Sequence, residues 1–472
     1  MEYHKIIMDD GHRCYNDPIM IENTPRNPYH ADIDDSSALA SAPFAGRQAV
    51  FGRIYRHVTD PTKRTAITVI GQRRIGKTAL LTAFPTVFRE THVGAVIPML
   101  QAPDDVTVDW VLSIAESIAV ATAKRGFTIR RLDDLLPPGE APGEAFAWLV
   151  EVYLPAVFAI LRGMMRLALL IDDAHVLLTS IKQTRLPQDT LPFLSGLMAQ
   201  FPNLDMVLTF DAARESDLSA LAPLTNPDEV LRLGSLTAEE TGWLMQQPVR
   251  GLYALTDDAA DAVYRAAGGL PAPSQAFGYF LFRKWAEQPG MNQFNGEDIR
   301  ALMQPVMTIS AADFKASWNR LLPNEKLTLA ALSNILYRDP LRQVDAAVIE
   351  AWIVETDVRL DATAINVALR GLEYREWVEP TPEGVRIKAG LMHTWLLDNA
   401  TPDKLPRPTR RRGGSASETM EIGLNRRVRV PRWALVVGGV VILAALIAFL
   451  MLGGQAGAPP EIQVTVTLSG DS

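Results

Sequence analysis

Gly71-Gln72-Arg73-Arg74-Ile75-Gly76-Lys77-Thr78 decides the fold, because of what stands on either side of it. Ala66 to Ile70 is a β-rich apolar run that stops at Gly71, and a helical pattern begins at Lys77. The eight residues fit G-x-x-x-x-G-K-[ST] in its required context of strand, loop and helix. Gly71 and Gly76 let the backbone turn so that its N–H groups converge on a phosphate. The helix starting near Lys77 adds its N-terminal N–H groups and dipole. In this reading residues 71–78 bind phosphate, Lys77 reaches the β- and γ-phosphates of ATP, and the Thr78 hydroxyl ligates Mg²⁺.

A second apolar run ends in two carboxylates: Leu167-Ala-Leu-Leu-Ile171-Asp172-Asp173. A buried strand ending this way places Asp172 by the Mg²⁺ and Asp173 by the attacking water. Thr209 and Asp211, at the end of the following strand, are candidates to sense the γ-phosphate, and ordinary strand-end polar groups are the equal alternative. Arg214 can serve as an arginine finger or simply cover the surface.

Working outward, short apolar runs at Gly94–Leu100, Met206–Phe210 and Val230–Leu233 alternate with helical patterns at 47–59, 105–125 and about 145–166. This reads as a parallel sheet covered on both faces. After 237 the strands are expected to stop. Helices at 237–247, 257–267 and 272–287 form a small lid. Helical patterns at 324–336, 344–355 and 361–376 then precede a strand–turn–strand at 377–387, the outline of a winged helix. The expected fold class is α/β, a P-loop NTPase sheet with a helical lid, a winged-helix domain and one transmembrane helix. The expected segments are an irregular lead-in (1–42), ATPase core (43–236), lid (237–305), winged-helix-like unit (306–399), basic tether (400–432), membrane helix (433–453) and outer tail (454–472).

Further motifs surround the loop. Pro43-Phe44-Ala45-Gly46-Arg47 precedes it, Leu233-Gly-Ser-Leu-Thr-Ala-Glu-Glu240 follows the last strand, and Gly269-Leu270-Pro271 breaks the lid. Together with the loop and its acidic partner strand, they resemble the AAA+-like and STAND superfamily of signalling P-loop ATPases. The resemblance covers about 40–300, and more loosely 311–399. It implies that the Arg47 element helps bracket adenine and that Pro271 packs near the base. Many related ATPases carry Glu where Asp173 stands, so slow hydrolysis, or binding with little turnover, is expected. No arginine follows Pro271 where AAA+ machines have a second sensor; Ala272, Pro273, Ser274 and Gln275 stand there. That favours a switch, in which ADP holds a closed monomer latched by the winged helix, and a trigger with ATP opens a self-associating form.

Composition bounds the alternatives. The net charge of −8 hides a basic block at 400–432, with nine Lys/Arg against three acids, which leaves the first 399 residues acidic. An acidic body argues against broad nucleic-acid binding. The recognition-helix candidate, 361–376, offers two Arg against three acids. A DNA-binding ATPase and a nucleotide-binding scaffold without turnover remain the alternatives. Cys14 is the single cysteine, as suits a reducing compartment. The first 14 residues lack a signal-peptide apolar core.

Residues 434–452 carry no polar side chain, about the length a bilayer-crossing helix needs. Arg426, Arg427, Arg429 and Arg432 precede it, which predicts that the ATPase side is cytoplasmic. The expected partners are ATP or ADP, the membrane, and a protein partner or a second copy on activation.

Overall fold

Strand β1 (Ile67–Gly71) is buried along its whole length, and side chains one apart lie on opposite faces. In the computed structural model, Ile67 and Val69 pack under helices Gln48–Thr59 and Lys77–Val87 with Phe51, Ile54, Leu80 and Phe84. Ile70 packs on the other face with residues of Thr107–Lys124, Pro142–Leu161 and Thr190–Gln200. Two covered faces explain why these strands read as unbroken apolar runs. The structure describes residues 20–21, 24–30, 43–99, 106–128, 135, 141–226, 229–288, 290–339, 342, 344–354, 360–382 and 384–400.

The other strands of the main sheet are β2 (His92–Ile97), β3 (Arg166–Ile171), β4 (Leu204–Asp211) and β5 (Leu231–Leu233). Their order is β2-β3-β4-β1-β5, all parallel. Gly71 is in register with Asp211 on one side and Leu233 on the other. The phosphate-loop turn and the ends of both neighbours therefore sit together at the carboxyl edge, where such sheets bind ligands.

Several expectations are corrected. Strand β2 starts earlier than Gly94, because His92 is fully buried and satisfied by Asp205 (3.2 Å), which also holds Arg166 (2.7 and 2.8 Å). Strands do not stop after 237: Ala254–Leu255 pairs in parallel with Gln293–Phe294. Two residues are too few to show a period, and the pair is held by the Gln246 amide, which bonds Leu255 N and Tyr253 O. The long apolar helix runs from Pro142 to Leu161 with a π-helical stretch at Leu149–Tyr153. It is the one helix among the described residues long and apolar enough to cross a membrane, and Leu149, Leu154, Val157 and Leu161 are buried against the sheet, as in a core helix. The membrane helix expected at 433–453 lies outside the described residues.

The lid comprises Ala238–Gln246, Asp257–Ala267, Pro271–Glu287 and Gly296–Ala301. The boundary drawn at 305/306 falls inside a continuous helix, Met303–Asn319. Three helices follow (Pro323–Arg338, Ala346–Val354, Ala362–Tyr374), then an antiparallel hairpin, Val378–Thr381 with Gly384–Ile387, and a helix the sequence did not announce, Gly390–Asn399. Lid and C-terminal unit share one apolar core, in which Trp318, Trp377 and Trp395 lie 6.0–6.4 Å apart.

The lead-in is not wholly irregular. Met20–Ile21 pairs with Thr24–Pro25, and the buried Tyr29 joins the lid core. Its hydroxyl donates to Met245 O (2.5 Å), and Asn27 Nδ2 donates to Tyr279 O (3.2 Å). Tyr29→Phe is expected to keep the packing and lose about 1 kcal/mol of stability, the usual worth of one buried hydrogen bond. A chemical-denaturation midpoint unchanged by that substitution would show that the segment is not tied to the lid.

Candidate functional site

The phosphate loop is shaped by two glycines for different reasons. A Cβ on Gly71 would lie 2.7 Å from Ile75 Cγ2 and 3.0 Å from Leu233 O, so no side chain fits there. Gly76 sits at φ 97° and caps helix Lys77–Val87 in the left-handed region that glycine tolerates. Ile75 is fully buried between them and pins the loop to the core under β1. The first-turn N–H groups of the helix, which lack intrahelical partners, face the loop. Lys77 is only 8% exposed, and its Nζ donates to Gly71 O and Gln72 O, both at 3.1 Å.

At the end of β3, Thr78 Oγ1 donates to Asp172 Oδ2 at 2.6 Å. The other Asp172 oxygen accepts from Thr209 Oγ1 and from Asp173 N (3.2 Å). Thr209 is thus a brace for the Asp172 carboxylate: its oxygen also accepts from Asp173 N at 2.8 Å. Asp173 stands at φ 48°, a left-handed position that Asp accepts better than most residues. Its side chain is 48% exposed, with Oδ1 3.8 Å from His175 Nδ1. Partial burial, then the charge of Asp172, raises the Asp173 pKa above the ordinary carboxylate value. Burial lowers that of His175, so its ring is held toward the neutral form.

The loop, Asp173 and His175 open onto a cavity of about 430 Å³, within the usual size range of small-molecule sites, while Asp172 and Thr209 are not part of its wall. Arg73 to Thr78, Asp173, His175 and Asp211 line one part of it. Pro43, Phe44, Leu236, Leu244, Pro271 and Gln275 line an apolar part. Gly71 and Gln72 do not face it; they border a second crevice of about 450 Å³, and Gln72 Nε2 donates to Tyr374 O at 3.3 Å. Gln275 lies in the first turns of lid helix Pro271–Glu287. Its Nε2 donates to Pro43 O (3.1 Å), and its buried Oε1 has no partner.

The motifs around the loop are wired together. Thr237 and Glu240 form a capping box at the start of Ala238–Gln246. Glu240 Oε1 also accepts from Arg47 N at 2.9 Å and fills the space beside Gly46, where a Cβ would lie 2.0 Å from it. The Arg47 guanidinium lines the cavity, and its Nη2 donates to Ile75 O at 3.1 Å. Arg47 therefore props the phosphate loop. Burial lowers its pKa, against the raising effect of Glu240 and Glu376. Leu236 N donates to Gly269 O at 2.8 Å, joining the lid entry to the Gly269-Leu270-Pro271 break.

The C-terminal unit supplies residues that sequence reasoning missed. Arg74 Nη1 pairs with Asp313 Oδ2 at 2.8 Å. Arg320, just past the same helix, lines the cavity and pairs with Asp211 Oδ2 at 3.6 Å. The Arg232 guanidinium lies 4.6 Å over the Tyr374 ring. No local pattern could have found these pairs, since their members lie about a hundred or more residues apart. Arg214 turns to Asp217 (4.0 Å) and is not part of the cavity wall. Among the described residues no three His, Cys, Asp or Glu converge on one point. The Thr78 hydroxyl and Asp172 carboxylate, two hard oxygens facing each other, suit Mg²⁺, which takes one or two carboxylates plus substrate phosphates.

No family model and no curated protein matches this chain. Among solved structures, the Walker-type ATPase PABY2304 of Pyrococcus abyssi is 15% identical, over 78% of this chain and 99% of its own, with a TM-score of 0.47. The ORC2 protein of Aeropyrum pernix, in ADPNP–ADP complexes, is 13% identical over 78% and 96%, with a TM-score of 0.46. Cdc6p from Pyrobaculum aerophilum is 14% identical over 79% and 99%, with a TM-score of 0.37. At these values the assignment of the fold rests on the strand order and loop geometry above.

Proposed function

We propose that the chain is a nucleotide-dependent switch of the STAND-like kind, which binds ATP with Mg²⁺ and hydrolyses it slowly. The observation that carries the reading is that the phosphate loop is gripped from outside its own domain, through Arg74–Asp313 and Gln72–Tyr374. A loop whose side chains are bonded to the C-terminal unit is coupled to it, so a nucleotide that shifts those side chains also loosens that unit. In this reading 43–236 is the ATPase core, and the lid with the winged-helix-like unit, joined through helix Met303–Asn319 and one apolar core, is the latch that holds the closed state. Thr78 and Asp172 would hold Mg²⁺, which when bound neutralises phosphate charge. Lys77 leaves the loop carbonyls for the phosphates. Asp173, part-exposed on the cavity wall, orients water. The proposal places the chain at a membrane through residues 433–453, with the ATPase on the cytoplasmic side, on the strength of the apolar run and the arginines before it.

The DNA-binding alternative gains nothing from the site, since helix Ala362–Tyr374 turns its last residue onto Arg232 of the ATPase core. The switch predicts a coupling between nucleotide and assembly. Full-length protein with ADP is expected to sediment as one species, and with a non-hydrolysed ATP analogue as a larger one. Asp313→Ala, which removes one partner of a half-buried ion pair, is expected to shift the closed-to-open balance on the order of tenfold. Less analogue then suffices for assembly. A chain that binds nucleotide but sediments identically in both, in wild type and Asp313→Ala alike, is a scaffold rather than a switch.

A further inference from the structure

Arg320 and Asp313 are seven residues apart, two helical turns, and so project from one face of helix Met303–Asn319 and its cap. That face meets the nucleotide cavity at two points: Asp313 holds Arg74 of the phosphate loop, and Arg320 reaches the carboxyl end of the sheet at Asp211. We propose that Arg320 reads the γ-phosphate in cis, and so stands in for the sensor arginine that the lid lacks. The inference rests on the nucleotide-binding reading above and adds the residue that tells ATP from ADP.

The cations around the cavity are not equivalent. Lys77 is committed to Gly71 O and Gln72 O, Arg47 to Ile75 O, and Arg74 to Asp313, while Arg73, also on the wall, belongs to the phosphate loop itself and has a partner of its own. Arg320 is 42% exposed, and its ion pair among the described residues is the long one to Asp211. That carboxylate is itself shared, because Asp211 Oδ1 accepts from Ala213 N at 2.9 Å. Asp211 lies beside Gly71 in register, so Arg320 is parked one strand from the loop that would hold the phosphates. The lid helix presents Pro271, Ala272 and Gln275 to the cavity, none of which carries a charge.

A phosphoryl group carrying two negative charges, with oxygens matched to the guanidinium fork, outcompetes a single carboxylate oxygen at 3.6 Å. ADP does not place a phosphate at that end and leaves Arg320 on Asp211. When ATP draws Arg320 across, the end of the helix moves with it, and the same helix carries the Asp313 grip on the loop. The Arg320–Asp211 exchange thus connects the third phosphate to the latch.

Calorimetric titration of the full-length chain with ADP and with a non-hydrolysed ATP analogue tests this. Arg320→Gln is expected to weaken the analogue roughly 10- to 100-fold while ADP stays within about twofold. Arg320→Lys, which keeps the charge and loses the fork, is expected to recover part of the loss. Should Arg320→Gln fail to fold, the Lys form decides alone by an intermediate, analogue-selective loss. Equal losses for both nucleotides, or no change for either, overturn the assignment. A wild-type chain that binds neither nucleotide fails the underlying reading instead, and is distinguished by that result.

Discussion

Lys77→Ala is expected to lose ATP and ADP affinity by roughly 100- to 1,000-fold, the loss of two or more charge-assisted hydrogen bonds to phosphate in a water-poor site. The structure explains why the loss should be clean. Lys77 is nearly buried and spans the loop, donating to the carbonyls of Gly71 and Gln72. Those carbonyls hold the ammonium in place, in reach of the cavity, until phosphate competes for it. The Ala form leaves both carbonyls to water. The stability cost is therefore about 1 kcal/mol, and the fold should persist. Paired titrations and thermal melts separate the two effects. If Lys77→Ala binds nucleotide as wild type does, the loop is not a phosphate cradle and the cavity must be reassigned.

What the sequence made legible follows the range of the forces involved. The loop, Asp172 and the five strands were readable because glycine angles, strand burial and helix starts are local. Boundaries shifted where a polar residue sat inside a strand: His92 hid the start of β2, because its partner, Asp205, is 113 residues away. The expected boundary at 305/306 fails because a change of sequence pattern need not be a change of core: helix Met303–Asn319 runs through it. Phe277 and Phe294 of the lid and Trp377 and Trp395 of the C-terminal unit belong to one core. On sequence alone Thr209 is a candidate γ-phosphate sensor or an ordinary strand-end polar group, and its hydroxyl braces Asp172. Gln72 stands in the phosphate loop, and that its side-chain amide turns to Tyr374 has no signal in the sequence. Arg320 had no signal at all: an arginine after Trp318-Asn319 looks like any surface cation until the chain folds back to Asp211.

Asp173→Asn is expected to reduce turnover about 100-fold or more, the usual worth of a positioned proton acceptor, and to leave ATP bound as well as before or better. Asn is the right substitution, because φ 48° is strained for most side chains and Asn shares the tolerance of Asp there. The change therefore removes the charge without disturbing the turn, and it removes a carboxylate facing the phosphates. A pH test of stability, made without metal or nucleotide, follows from the direction of the shift. Burial and the Asp172 charge raise the Asp173 pKa. The sign is opposite to that of a salt-bridged acid. A carboxyl whose folded pKa is raised costs stability when ionised, so Asp173→Asn should melt higher than wild type near pH 7. The gap should close as the pH falls through the folded pKa and vanish below the unfolded one, where both states carry the proton. A higher-melting Asn form with unchanged turnover would show that Asp173 is strained by its neighbours without serving the water. Hydrolysis would then have to be sought at another group, with His175, held neutral beside it, the first to replace.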